Sequence, residues 1–166
     1  MKKICIGSDH GGYETKQTVV MHLRKKGIEV SDVGTDNDSI VRYPYYAAQV
    51  CNAVQKGEAD AGILICSTGI GMSVIANKFR GIRAALCTSH LMAKMTRRHN
   101  DSNVLCLGGK VSGILEIIDI VDAWVAEEFE GGRHNISLAM IAAGEEEMLK
   151  VTGWQPPRDL NFNKEV

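Results

Sequence analysis

The feature that most constrains the fold is a regular alternation of short apolar runs with longer segments of helical spacing. The run Ala61–Cys66 is apolar throughout, which is typical of a strand covered on both faces. Strands are predicted at residues 3–7, 28–33, 61–66, 83–86 and 104–107. Helices are predicted at residues 13–26, 43–56, 90–98, 114–129 and 136–150.

Glycine and proline residues support these helix boundaries. Gly27 and Gly57 follow the first two helices, where glycine favours helix termination, and Pro44 suits the first turn of the second. Strands alternating with helices imply right-handed crossovers and a parallel sheet. We therefore predict an α/β fold, a Rossmann-like three-layer sandwich with a five-stranded parallel sheet. The C-terminal helix is expected to pack outside the core or against a partner chain.

The chain has 166 residues, which suits one domain with a substantial core. We predict a single domain over residues 1–150. From residue 151 onward Gly153, Pro156 and Pro157 prevent helix continuation, so residues 151–166 are predicted to form a C-terminal tail.

Composition excludes several classes of partner. The net charge of −1 provides no basic surface for nucleic acid or for an anionic membrane. Apolar runs are too short to span a bilayer. The five cysteines are odd in number and show no CxxC spacing, which argues against a disulfide framework and a zinc site. Reduced thiols in a cytoplasmic protein are the simple interpretation.

Polar, glycine-rich loops follow the predicted strands, and ligands of parallel sheets bind at the carboxyl ends of strands. Cys66 ends an apolar strand, so its thiol is expected near a helix N-terminus that favours thiolate. Gly69 and Gly71 allow backbone N–H groups to converge on an oxyanion, and Thr68 supplies a hydroxyl. The alternative is a buried cysteine above a structural turn. The GxGxxG spacing of dinucleotide sites is missing.

Three further positions are candidates that each have a structural alternative. Asp9 can exchange a proton with a hydroxyl of a ligand and His10 can face an anion, although Asp9 also suits a helix N-cap. His99 can be a general acid, or part of a solvated helix end. Arg133 presents a fork suited to phosphate, or belongs to a flexible polar turn.

Together these segments resemble the ribose-5-phosphate isomerase B family, which also includes galactose-6-phosphate isomerase subunits. The resemblance runs from about residue 3 to about residue 149, with order and spacing retained. It is carried by SDHGG at 8–12, YP at 43–44, CSTGIG at 66–71, NKFRGIRAA at 77–85, RRHNDSNVL at 97–105 and EGGRH at 130–134.

The resemblance implies an aldose–ketose isomerase of a small sugar phosphate, ribose 5-phosphate by default, that needs no metal and no organic cofactor. Asp9 and His99 would open the sugar ring, and Cys66 would carry a proton between C1 and C2 through a cis-enediolate. Thr68 would assist proton exchange on the oxygens. His10, Lys110 and Arg133 would bind the phosphate. The other substrate-binding residues expected are Arg42, Tyr43, Ser67, Gly69, Ile70, Gly71 and Asn100.

The resemblance also implies a homodimer with shared active sites. His99, Asn100, Lys110 and Arg133 would come from the second chain, and pairing of dimers into a tetramer stays open. The expected setting is the pentose phosphate pathway in the cytoplasm.

Three departures from the family pattern leave the substrate open. Ser67 stands where the family usually has glycine, Arg42 where it usually has an acidic residue, and Ser137 where it often has a second phosphate-binding arginine. Another four- or six-carbon sugar phosphate, or an acidic sugar, is therefore an alternative. A non-catalytic sugar-phosphate sensor is another, disfavoured because Asp9 and His99 accompany Cys66. A thiol redox protein is disfavoured because Cys66 has no resolving cysteine nearby in sequence.

Overall fold

A computed structural model of the protein describes residues 1–148. The predicted tail at 151–166 and the predicted end of the last helix at 150 lie outside the described residues. The strands of the described part are β1 (Lys3–Ser8), β2 (Glu29–Asp32), β3 (Ala61–Cys66), β4 (Ala84–Leu86) and β5 (Val104–Gly108). They form one parallel sheet in the order β2-β1-β3-β5-β4.

Helices connect these strands in the alternating pattern that the sequence predicts. A 3-10 turn at His10–Gly12 leads into the first helix. The helices are α1 (Tyr13–Lys25), α2 (Tyr43–Gln55), α3 (Ile70–Ala76), α4 (His90–Asn100), α5 (Ile114–Ala126) and α6 (His134–Met148). This arrangement confirms the predicted α/β fold with a five-stranded parallel sheet.

Side-chain alternation along the strands builds a core on each face of the sheet. Ile63 and Ile65 pack with residues of α1 and α5 on one face. Leu64 and Cys66 pack with residues of α2 and α3 on the other. Because successive residues of a strand point to opposite faces, the continuous apolar run of β3 supplies both cores, and the three-layer sandwich follows.

Tertiary contacts move some helix ends away from the predicted positions. The positive φ values of Gly27 and Gly57, 80° and 70°, agree with the predicted terminations of α1 and α2. α4 continues to Asn100, where Asp101 adopts φ 45° and ends it. α5 ends at Ala126 and not at residue 129, because Glu127 is extended and its carboxylate lies 3.2 Å from Lys94 Nζ of α4.

The last helix lies outside the core, as expected. α6 begins at His134, two residues before the predicted start, because Gly131 and Gly132 turn the chain with φ 67° and 58°. Its side chains Ile136, Met140 and Ile141 are 68%, 71% and 48% exposed. None of the helices in residues 1–148 is both long and apolar enough to cross a membrane.

Candidate active site

The sheet order creates a crevice at the carboxyl ends of β1 and β3. The connection after β1 leads to β2 on one side of the sheet, whereas the connection after β3 leads to β4 on the other side. Connections that diverge in this way leave an opening above the two strands, which is where α/β proteins bind ligands. Asp9 follows β1 and Cys66 ends β3, so both lie at this opening, and the Asp9 N–H donates to Ile65 O at 3.3 Å.

The Cys66 thiol is held by the turn that follows β3. Its Sγ accepts the Gly69 N–H at 3.1 Å. Gly69 adopts φ 76°, and a Cβ there would lie 2.5 Å from Leu86 Cδ1 and 2.9 Å from the Leu107 carbonyl carbon. Only glycine fits both the dihedral angle and the space, so the turn depends on this residue.

The other four cysteines have surroundings that suppress ionisation. Burial raises the pKa of Cys5 to about 11 and that of Cys51 and Cys87 to about 12. Burial, aided by neighbouring thiols, raises the pKa of Cys106 well above its usual range. These four side chains are therefore neutral thiols that pack in the core.

Asp9 has the capping role considered for it, at the 3-10 turn after β1. It is 6% exposed, and its Oδ1 accepts the N–H groups of Gly11 at 2.9 Å and Gly12 at 3.2 Å, so it caps the 3-10 turn. Burial raises the pKa of Asp9, against the opposing effects of the His10 charge, these two hydrogen bonds and the Lys110 charge. A raised pKa brings a carboxyl closer to the range in which it can exchange protons near neutral pH.

Tyr43, the first residue of α2, and His10, in the 3-10 turn after β1, border the same opening. The Tyr43 ring covers Gly71 so closely that a Cβ there would lie 2.9 Å from Tyr43 Cζ. His10 Nδ1 lies 3.3 Å from both N and O of Val41. When Nδ1 accepts the Val41 N–H, Nε2–H is a donor toward a ligand, and when Nδ1–H of the neutral ring donates to Val41 O, Nε2 is an acceptor. Arg42, which is exposed, immediately precedes Tyr43.

The loops after β3 and β5 are joined by backbone hydrogen bonds. Gly109 N–H donates to Cys66 O at 2.8 Å, and Lys110 N–H donates to Ser67 O at 3.0 Å. The resemblance assigned Lys110 to the second chain, whereas the structure places it at this edge of its own chain. Its charge lies near enough to oppose the rise that burial causes in the pKa of Asp9. A Cβ on Gly11 would lie 2.1 Å from Ser67 Oγ, so Gly11 provides the space for the Ser67 side chain.

Thr68 and Ile70 complete the turn between β3 and α3. Both side chains are exposed, and Thr68 Oγ1 accepts the Ile70 N–H at 3.3 Å. The hydroxyl therefore lies at the start of α3, within the loop that also holds Cys66.

His99, Asn100 and Arg133 lie at the opposite edge of the sheet. α4 starts after the carboxyl end of β4 and runs back to the amino end of β5, so its last residues are far from the Cys66 crevice. Asn100 O accepts Arg83 Nε–H at 3.1 Å, immediately before β4 begins. α5 returns to this edge in the same way and brings Arg133 with it. Within one chain, these residues do not join Cys66.

His99 has two neighbours that the sequence interpretation did not single out. Its Nε2 lies 3.5 Å from Glu130 Oε2, and its ring stacks on that of His134 with centroids 4.2 Å apart. Desolvation, together with the charges of His99 and Arg133, lowers the pKa of His134. Glu130 and His134 stand four residues apart in the EGGRH segment, but His99 comes from α4, so only tertiary structure reveals the group.

Comparison with known proteins identifies the family. The family model described as Ribose/Galactose Isomerase matches residues 4–141. Ribose-5-phosphate isomerase B of Escherichia coli strain K12 is 49% identical, over 88% of this chain and 98% of that protein. A putative sugar phosphate isomerase of Bacillus subtilis strain 168 is 45% identical, over 89% of this chain and 99% of that protein.

Solved structures show the same fold. Ribose-5-phosphate isomerase B of Clostridium thermocellum has a TM-score of 0.86 and 50% identity, covering 87% of this chain and 98% of that one. The Mycoplasma genitalium enzyme with bound ribulose 5-phosphate has a TM-score of 0.84 and 40% identity, covering 87% of this chain and 97% of that one. The family and the isomerase class expected from the motifs are confirmed. The chain belongs to the ribose/galactose isomerase family.

Proposed function

We propose that this protein interconverts ribose 5-phosphate and ribulose 5-phosphate, with Cys66 as the base. The observation that carries the proposal is the position of the Cys66 sulfur, which accepts the Gly69 N–H at 3.1 Å in the crevice that Asp9 also borders. The relatives named for this reaction, and the neighbour that contains ribulose 5-phosphate, support the choice of substrate.

Ring opening requires a base and an acid on the two oxygens of the cyclic sugar. In the proposed step, Asp9 accepts the proton of the anomeric hydroxyl, and His99 donates a proton to the ring oxygen. The ring C–O bond breaks as the C1 carbonyl forms. Burial, which raises the pKa of Asp9, makes its carboxylate a stronger base than an exposed one.

Isomerisation then moves a proton between adjacent carbons. The Cys66 thiolate removes the C2 proton of the open aldose, leaving a cis-enediolate, and the resulting thiol returns a proton to C1. N–H groups of the loop after β3 stabilise the oxyanion, and Thr68 moves the proton between O1 and O2. Ser67, Gly69, Ile70 and Gly71 form this loop, and Tyr43 covers it at Gly71.

Phosphate binding is assigned to cationic and donor groups around the opening. His10 and Lys110 belong to the crevice of the chain itself, with His10 Nε2–H available when Nδ1 accepts from Val41. Arg133 would add a bidentate guanidinium contact. Its position at the far edge of the sheet means that it has to reach the phosphate from another chain.

The complete site is therefore proposed to form in a homodimer, with His99, Asn100 and Arg133 supplied by the second chain. Their separation from Cys66 within one chain supports this arrangement. The exposed apolar side chains of α6 support it as well, because Ile136 and Met140 would be covered by a partner. Further pairing into a tetramer is an alternative to the simple dimer.

A different sugar phosphate is a second candidate substrate. Arg42 is exposed next to Tyr43, where it can face the substrate, and the exposed Ser137 on α6 cannot replace an arginine as a phosphate ligand. A four- or six-carbon sugar phosphate, or an acidic sugar whose carboxylate meets Arg42, fits this redistribution of positive charge.

The test is turnover of a panel of aldose and ketose phosphates, followed by NMR, together with acidic sugars without phosphate. We expect efficient interconversion of ribose 5-phosphate and ribulose 5-phosphate, with exchange of solvent deuterium into the product at the carbon that Cys66 reprotonates. Faster turnover of another sugar would transfer the proposal to that substrate. Absence of turnover for every compound would contradict the isomerase proposal.

We further infer a cytoplasmic setting in the pentose phosphate pathway, which the free thiols of all five cysteines support.

A further inference from the structure

Three metal-ligating side chains converge at the amino edge of the sheet. Glu130 Oε2 lies 3.5 Å from His99 Nε2 and 3.7 Å from His134 Nε2. All three potential ligand atoms lie within 4.8 Å of one another. His99, Glu130 and His134 are partly exposed, so an ion can reach them from solvent.

Contacts around the group orient the carboxylate toward the two imidazoles. Glu130 N–H donates to Arg98 O at 3.0 Å, which fixes the loop against the end of α4. The Arg98 guanidinium pairs with the Oε1 atom of Glu130, which leaves Oε2 directed at the histidines. His134 is placed by the turn through Gly131, whose carbonyl accepts the His134 N–H at 3.2 Å.

The carboxylate oxygen lies close to the position that a metal site requires. Ligand atoms about 2.0–2.1 Å from a tetrahedral Zn²⁺ are about 3.3 Å apart, and the carboxylate–imidazole separations of 3.5 Å and 3.7 Å exceed this by only a few tenths of an ångström. The His99 and His134 rings, which are stacked with an interplanar angle of 15°, have to rotate apart so that both Nε2 lone pairs point at one ion. Two imidazoles and one carboxylate form a ligand set that zinc uses with a solvent molecule in the fourth position. Cysteine spacing in the sequence could not reveal such a site, because it contains no cysteine.

We propose that His99, Glu130 and His134 bind Zn²⁺ and that the bound ion inhibits the enzyme reversibly. The inhibitory part rests on the proposed function, in which His99 donates a proton during ring opening. A metal ion on His99 Nε2 takes the lone pair that would carry this proton. The guanidinium groups of Arg98 and Arg133 oppose a dication, so the site is a weak one that releases zinc to chelators.

The experiment measures Zn²⁺ binding to the full chain by isothermal titration calorimetry, independently of turnover. We expect one ion per chain, with affinity at least about 10-fold lower in Glu130→Gln and His134→Gln. His90→Ala is the matched control, because His90 Nδ1 pairs with Asp119 at 3.1 Å and no third ligand joins them within residues 1–148. The zinc affinity of this variant should be unchanged. Cys66→Ser should also bind normally, which excludes the thiol as the ligand. Circular dichroism checks folding.

The outcomes separate the site from the function. Binding lost in Cys66→Ser but kept in His134→Gln and Glu130→Gln, or no binding by the parent protein, would overturn the site. For the inhibitory role, we expect turnover of ribose 5-phosphate to fall with the same zinc concentration dependence and to recover on adding EDTA. Zinc binding at the three residues with unchanged turnover would overturn that role alone. If the protein turns over no sugar, the calorimetry still decides the binding proposal.

Discussion

At the scale of single residues, the proposed chemistry depends on what surrounds the Cys66 sulfur. Cys5, Cys51, Cys87 and Cys106 have pKa values raised by burial, whereas Cys66 lies in a loop whose Gly69 N–H is donated to its sulfur. A base has to lose its proton readily and reach the substrate, and the loop position meets the second requirement.

Replacement of Cys66 by serine tests this assignment. We expect turnover to fall by at least about 100-fold, because a hydroxyl is a far weaker base than a thiol. Folding should be retained, since the serine Oγ can accept the Gly69 N–H in place of Sγ. Steady-state kinetics and a thermal melt measure the two effects.

The control for this variant is Cys51→Ala. Cys51 lies on the fully buried face of α2, so removing its sulfur affects packing and leaves the crevice intact. We expect near-normal turnover with a modest loss of stability. Similar activity losses in the two variants would contradict a specific role for Cys66.

Gly71 tests the role of the Tyr43 ring. A Cβ at Gly71 would lie 2.9–3.1 Å from three ring carbons of Tyr43, so Gly71→Ala should displace the ring from the mouth of the site and raise KM several-fold. Gly113→Ala is the matched control, because a Cβ at Gly113 meets nothing within 4 Å. Equal KM values in the two variants would show that Tyr43 does not contact the substrate.

Residue spacing predicted part of the site but not all of it. Asp9 and Cys66 were predictable because each follows a strand, and parallel strands bring their carboxyl ends to one edge. The contact of His99 with Glu130 and His134 was not predictable, because His99 lies on a separate helix. The sequence could not predict the space that Gly11 leaves for Ser67 either, since this space depends on how the loops after β1 and β3 pack together.

At the scale of elements, the sequence predicted the helix ends that depend on an adjacent glycine and missed ends that depend on tertiary contacts. α1 and α2 end before Gly27 and Gly57, which adopt positive φ values. The end of α5 and the start of α6 were misplaced by three and two residues, from 129 to Ala126 and from 136 to His134. The early end of α5 accompanies the contact of Glu127 with Lys94 of α4, which sequence periodicity does not report.

Asp60 provides a test of how the first strand is anchored. Its Oδ2 accepts the N–H groups of Lys2 at 2.7 Å and Lys3 at 3.0 Å, and these hydrogen bonds lower the pKa of Asp60. A pKa below that of the unfolded chain means that the stabilisation is fully present above about pH 4 and is lost as pH falls through the folded-state pKa.

Asp60→Asn should therefore lower Tm at pH 7 by about 1–3 °C, a small effect because the side chain is exposed. The difference from the parent protein should narrow when the melts are repeated near pH 3. Asp38→Asn, in an exposed loop, serves as the control and should change Tm little at either pH. A Tm difference for Asp60→Asn that is independent of pH would contradict the anchoring role of the charged carboxylate.

At the scale of the whole molecule, the proposed site is divided between two edges of one sheet. Asp9, Cys66 and Lys110 lie at the carboxyl edge, whereas His99 and Arg133 lie at the amino edge. In a dimer with a two-fold axis, the carboxyl edge of each chain can meet the amino edge of its partner. The strand order within one chain does not define this axis, so the pairing has to be tested directly.

Mixing two inactive variants tests the division. A Cys66→Ser chain combined with a His99→Ala chain should recover activity, because each mixed dimer has one site with both lesions and one with neither. Random pairing in equal amounts predicts about one quarter of the parent activity. The control mixes Cys66→Ser with Asp9→Asn, whose lesions lie at the same edge, and no mixed dimer then contains an intact site. Native mass spectrometry establishes that mixed dimers form. If they form and the first mixture stays inactive, His99 does not act across the interface. Recovery in both mixtures would show that the regained activity does not come from a site shared between two chains.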